Sequence, residues 1–117
     1  MRILGLILIL SCLSINSCEN NPAKIIRHKP VIQSITLQKS SLYPRETIIV
    51  TASVSDDDET DELKFKWEST CGSFISEINN PTSWQAPGQA GTCSITLNLS
   101  DGYFTTAKSV NVKVIER

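Results

Sequence analysis

Leu63, Phe65 and Trp67 alternate with Lys64, Lys66 and Glu68, and a period of two places the three apolar side chains on one face of an extended strand and the three charged ones on the other. The same rhythm returns in Ile48, Val50, Ala52 and Val54 against Thr47, Ile49, Thr51 and Ser53, in Cys93, Ile95, Leu97 and Leu99, and in Val110, Val112 and Val114 against Asn111 and Lys113. Val31 to Gln38 is β-rich and is expected to hold Val31, Ile35 and Leu37 on one face. Beyond residue 30 no apolar pattern of helical period is long enough for a helix. Turn signals separate the strands: Ser40 to Glu46, the acidic run Asp56 to Glu62, Gly88 to Gly91, and Ser100-Asp101-Gly102, where Asp-Gly marks a hairpin. About seven short strands at a spacing of roughly 8 to 12 residues imply an antiparallel β-sandwich.

The amino terminus is of another kind. Met1-Arg2 leads into the apolar run Ile3 to Leu10, continues through Ser11 to Ser17 and stops at Cys18. A positive start, a short apolar core and small residues before a cut site make an export signal, too short to span a bilayer as a mature helix. Ile15, Ser17 and Cys18 resemble the end of a bacterial lipoprotein signal, with Asn16 a departure from that pattern. The resemblance implies cleavage before Cys18 and acylation of that cysteine, palmitate included. Cys12 is a second cut site, but it leaves an apolar core of only about eight residues. An ordinary signal peptide with a stray cysteine is the plainer alternative. Two or three acyl chains, at about 0.8 kcal/mol per buried methylene, would hold the protein on a membrane permanently.

Three segments follow: 1–17 as signal peptide, 18–29 as tether and 30–117 as a single sandwich domain. Removing residues 1–17 from the 117 leaves 100, the size of one small domain. That part keeps all 12 acidic residues and all basic ones except Arg2, a formal charge of −2. Nucleic acid is therefore not an expected partner, since it calls for a basic face. With Cys12 discarded and Cys18 assigned to lipid, Cys71 and Cys93 remain, and an exported pair is expected to form a disulfide. Zinc is the alternative, although two cysteines and the distant His28 do not complete a tetrahedral site.

Several short pieces resemble a PKD-type immunoglobulin-like domain over residues 30 to 116. They are Lys29-Pro30-Val31-Ile32, Tyr43-Pro44-Arg45-Glu46, the acidic run after Val54, Phe65-Lys66-Trp67, Gly72 with Phe74, Thr82 to Pro87, and Leu99-Ser100-Asp101-Gly102. The acidic run lacks the Pro and Gly usual in that family, and Cys71 and Cys93 are additions to it. Such a sandwich implies that the strand of Trp67 and the strand of Cys93 are antiparallel neighbours, so Cys71 and Cys93 meet within one sheet. Closing a loop of roughly 23 residues stabilises by about 3 kcal/mol in the chain-entropy picture. A redox-active pair is the sharper alternative, without a Cys-x-x-Cys motif behind it.

Catalysis needs a base, a nucleophile and something to orient them. The single histidine, His28, lies in the tether, and the acidic run is a solvated loop unsuited to separating carboxyl pKa values, so the chain is not expected to be an enzyme. No catalytic residue is assigned. The acidic run suits a hard cation better, with Asp56, Asp57, Asp58, Asp61 and Asp101 as candidate Ca²⁺ ligands. A solvated acidic turn is the plainer alternative. Trp67 is expected in the core. Trp84, Tyr103 and Phe104 are candidates for a glycan or protein contact, with core burial the stronger expectation for Trp84.

The expected protein is thus a non-catalytic lipoprotein of the bacterial cell envelope, anchored at the outer membrane and presenting an immunoglobulin-like module to an envelope protein or glycan. A structural or accessory subunit of an envelope secretion or uptake complex is the alternative, and a calcium-stabilised adhesion module the third.

Overall fold

A computed structural model describes residues 27–56 and 62–116. The leader, Cys18 and the acidic residues 57–61 lie outside the described residues. Eight strands follow one another, and no helix occurs among the described residues: β1 (Val31–Leu37), β2 (Ser41–Leu42), β3 (Thr47–Ser55), β4 (Lys64–Ser69), β5 (Ser73–Phe74), β6 (Thr82–Gln85), β7 (Gly91–Ser100) and β8 (Thr105–Val114). They form two four-stranded sheets, β1-β3-β6-β5 and β2-β8-β7-β4. All pairings are antiparallel except the two-residue pairing of β2 with β8. The chain changes sheets within three residues: the Gln38 amide still donates to Ile49 O, while Ser40 O already accepts from the Lys113 amide.

Alternation decides what is buried. Ile48, Val50 and Ala52 of β3 face Trp67 of β4, Cys93, Ile95, Leu97 and Leu99 of β7, and Val112 and Val114 of β8 in one core. Leu42, on the shortest strand of its sheet, is as deeply buried as any of these. Trp67 leans on Phe74 with ring centroids 6.0 Å apart, so an aromatic pair joins the two sheets at their β4 and β5 edges. Flanking lysines force Trp67 inward, because turning it out would bury Lys64 and Lys66 instead.

In β1 the face differs from the expected one. Register shifts between Ile32 and Ser34, a bulge that inserts one residue and reverses the pleat. Ile32 is consequently buried and Val31 is 50 % exposed, while Ile35 and Leu37 keep their inward places. Two two-residue strands make the count eight against about seven expected: β2, inside the expected Ser40 to Glu46 turn, and β5, inside the stretch 72–81.

The β5 to β6 connection spans the open side of the sandwich. Glu77 O accepts from the Trp67 amide at 2.7 Å, and Asn79 O accepts from Trp67 Nε1 at 2.8 Å. The peptide bond between Asn80 and Pro81 is cis. Asn80 bonds both backbone groups of Ala52 with its side-chain amide, each at 2.9 Å. A side chain thus continues the β3 ladder past the end of β6 and satisfies groups that would otherwise stand open.

Candidate functional site

One end of the sandwich gathers the turn after β7, the start of β1 and Asp56, the first residue of the acidic run. Asp101 shapes the turn. Its Oδ1 accepts from the amides of Tyr103 at 2.8 Å and Phe104 at 2.7 Å, and its own amide donates to Phe104 O. Aspartate favours such a turn because a short carboxylate can reach amides two and three residues on. Gly102 holds φ at 94°, in the region glycine enters without penalty. Asp101 is 4 % exposed, and its Oδ2 has no hydrogen-bond partner among the described residues.

The segment preceding β1 is pinned to the same turn. Thr106 Oγ1 donates to Pro30 O at 2.8 Å, and the Arg27 guanidinium sits 3.5 Å from the Tyr103 ring centroid. A cation over an aromatic face gains from the ring quadrupole. Tyr103 remains 60 % exposed with one face so covered, and Phe104 is half-buried. Asp56 is half-buried at the end of β3, while Asp57, Asp58 and Asp61 lie outside the described residues. Among the described residues no three His, Cys, Asp or Glu side chains group as metal ligands do.

The opposite end carries the staple. β4 pairs with β7 from Lys64↔Ser100 to Ser69↔Ile95, and the Thr70 amide continues the ladder to Ser94 O. One residue further along, Cys71 and Cys93 stand opposite each other and form a disulfide with a Cα separation of 5.5 Å. The bridge therefore lies within one sheet, as the sandwich resemblance implies.

Trp84 lies in the core and cannot act as a ligand platform: its ring is fully buried, and Nε1 donates to Ser69 Oγ and Cys71 O, both at 3.2 Å. A buried indole needs such a partner for its single donor. Core burial, the stronger expectation, thus holds and the platform does not, since Trp84 pairs with Ile48 and alternates inward between Ser83 and Gln85.

Two surface features escaped the sequence reading. An open cleft of about 630 Å³ at the stapled end is lined by Pro44, Arg45, Gly88, Gln89, Ala90 and Glu116. Arg45 holds φ at 68°, the third place of a turn closed by the Glu46 amide on Tyr43 O, where glycine is usual. Pro44 signalled the turn, but nothing in the sequence signalled an arginine in that conformation. A second, polar groove of about 410 Å³ runs between β4 and β5. Beside it Lys66 pairs with Glu77, and the hydrogen bond with that carboxylate, then its charge, raises the Lys66 pKa. Both side chains are more than half exposed, so the pair is screened and contributes little to stability.

Two sheets of this order, joined across one core by strands that change sheet, define an immunoglobulin-like β-sandwich. Solved structures agree. The chain is similar to the D00-D0 domain of intimin, with a TM-score of 0.58 and 12 % identity over 87 % of this chain and 57 % of that one. It is also similar to a nucleoside hydrolase-related hypothetical protein from Saccharophagus degradans associated with carbohydrate metabolism, with a TM-score of 0.54 and 21 % identity over 78 % of this chain and 26 % of that one. The chain thus spans little more than half of the first and about a quarter of the second. At these identities the likeness is one of fold. No family model and no curated protein matches the sequence.

Proposed function

We propose that this chain is an exported lipoprotein of the bacterial envelope, anchored through Cys18 at the outer membrane, whose immunoglobulin-like module, of PKD type, contacts an envelope protein or glycan without catalysing a reaction. The observation that carries the reading is the pinning of residues 27–30 to the turn after β7. The chain reaches the sandwich at one end, and the disulfide and the Arg45 cleft lie at the other. Residues 18–26, fully extended, span at most about 32 Å. A short tether to a docked base would hold the module near the membrane with the stapled end outward. Labelled fatty acid is expected to enter the wild-type protein and not Cys18→Ala. Equal labelling of the two rejects the anchor.

A calcium-stabilised end is a second reading, supported by the buried Asp101 Oδ2 without a hydrogen-bond partner among the described residues. A hard cation takes oxygen ligands of this kind. Calcium at about 1 mM, in the range of extracellular modules, is expected to raise the melting temperature of the wild type and to leave Asp101→Asn unmoved. A titration of the wild type with no heat and no shift in melting temperature rejects the site.

A further inference from the structure

The cleft at the stapled end brings together one cation and one anion that do not meet. Ile115 follows β8, and its amide donates to Leu42 O at 2.9 Å, which sets Glu116 beside the turn at 43–46. Arg45 and Glu116 both line the cleft and both are exposed, and among the described residues neither side chain makes a hydrogen bond or an ion pair. Arg45 is held under strain. Its φ of 68° is a left-handed conformation that only glycine enters without penalty. Three hydrogen bonds keep it there: the Arg45 amide to Pro87 O at 3.1 Å, Gln85 Nε2 to Arg45 O at 3.1 Å, and the Ala86 amide to Glu46 O at 2.8 Å. The guanidinium lies against Gly88, where an added Cβ would be 3.0 Å from Nη2 and 3.3 Å from Cζ. A strained arginine whose head fills the space beside a glycine is a positioned group rather than a loose surface chain.

We propose that this cleft binds a short peptide by its two free ends, the carboxylate on Arg45 and the ammonium on Glu116. A planar guanidinium takes a carboxylate through two parallel N–H···O bonds, and a side-chain carboxylate accepts from an ammonium. The two charges select the ligand. A plain anion meets Glu116 and a plain cation meets Arg45, whereas a zwitterion satisfies both. Swinging the two side chains together instead gains little, because exposed ion pairs are weak. Gln89 brings a primary amide, which matches a peptide group as donor and acceptor at once. Pro44 and Ala90 add only small apolar surface, which suits a peptide of small side chains. At about 630 Å³ the cleft falls within the range of ligand sites, roughly 300–1,000 Å³. Two or three residues, which span at most about 7–11 Å, are enough to reach from one charge to the other. The inference goes beyond the contact proposed above and stands on the cleft alone, independent of the lipid anchor.

The test titrates the isotope-labelled full-length chain, in detergent, with trialanine and follows the backbone amide signals of Gly88, Gln89 and Ala90 by NMR. Saturable shifts are expected, with a dissociation constant on the order of 1 mM for so open a site. Acetylating the amino end or amidating the carboxyl end of the peptide is expected to weaken binding by at least about fivefold each. Glu116→Gln is expected to bind free and acetylated peptide alike, and Arg45→Gln to bind free and amidated peptide alike. Arg45→Gly relieves the backbone, so it is expected to lose binding while melting no lower than the wild type, a combination that a merely structural arginine does not give. Gly88→Ala, whose Cβ would displace only the flexible end of Arg45, is expected to weaken binding at an unchanged melting temperature. A wild type without shifts up to about 20 mM trialanine, weaker than any specific site of this kind, overturns the proposal. So do equal affinities for free and end-blocked peptides, retained binding in Arg45→Gly, or glucuronate bound as tightly as trialanine, which would make the cleft a plain anion site.

Discussion

Gly72→Ala is expected to destabilise the sandwich by about 3 kcal/mol or more, the sum of a left-handed backbone penalty of about 1–2 kcal/mol and an overpacking penalty of about 1–3 kcal/mol. Gly72 holds φ at 75°, and a Cβ there would lie 2.4 Å from Trp84 Cζ2 and 2.5 Å from Gln85 O. Neither neighbour can give way. The carbonyl belongs to the backbone of β6, and the indole is fully buried with its nitrogen tied to Ser69 and Cys71. For a domain of this size such a loss lowers the melting temperature by on the order of 15 °C. Thermal unfolding of the purified variant checks it, and a melting temperature within a few degrees of wild type would show that the β4 to β5 turn is laxer than its contacts imply.

Removing the disulfide in Cys71→Ala/Cys93→Ala is expected to cost about 3 kcal/mol, chiefly by freeing a loop of about 23 residues in the unfolded chain. The two cysteines are 22 residues apart, and the loop between them contains β5 and β6, hence Trp84 and the cis Asn80–Pro81 bond. The bridge thus restrains the edge of one sheet from a bond within the other. Out of a total of roughly 5–15 kcal/mol this is a large share. Wild type with a reductant should melt together with the double variant, well below the oxidised protein. Coincident melting of oxidised and reduced wild type would sink the idea. Gly72 adjoins Cys71, so the two effects share neighbours and are not expected to add.

Much of this architecture was legible before any coordinates. Strict alternation around Trp67 and along β7 marked those strands and their inward faces, because a lysine on one side of an extended chain leaves the core only the other. Asp101-Gly102 marked its hairpin for an equally local reason. What escaped the reading rests on distant partners. The bulge that turns Val31 outward is a property of the pairing of β1 with β3, and it leaves no local pattern in a run of β-formers. The docking of Arg27 on Tyr103 joins residues 76 positions apart, and the positive φ of Arg45 is held by Pro87 O and the Gln85 side chain from across the turn.

The leader ending in Cys18 and the acidic run are matters of sequence alone here, since residues 1–26 and 57–61 lie outside the described structure. By itself the sequence determined the sandwich class and most inward-facing residues, because a period of two is a local consequence of the extended backbone. It also settled that six of the eight strands, all but β4 and β8, carry no charge. Only the tertiary structure decided that four of those six, β1, β3, β6 and β5, are neighbours in a single sheet, since hydrogen-bonded strand order depends on which segments far apart in the chain meet. That arrangement turns four separate neutral runs into one continuous face.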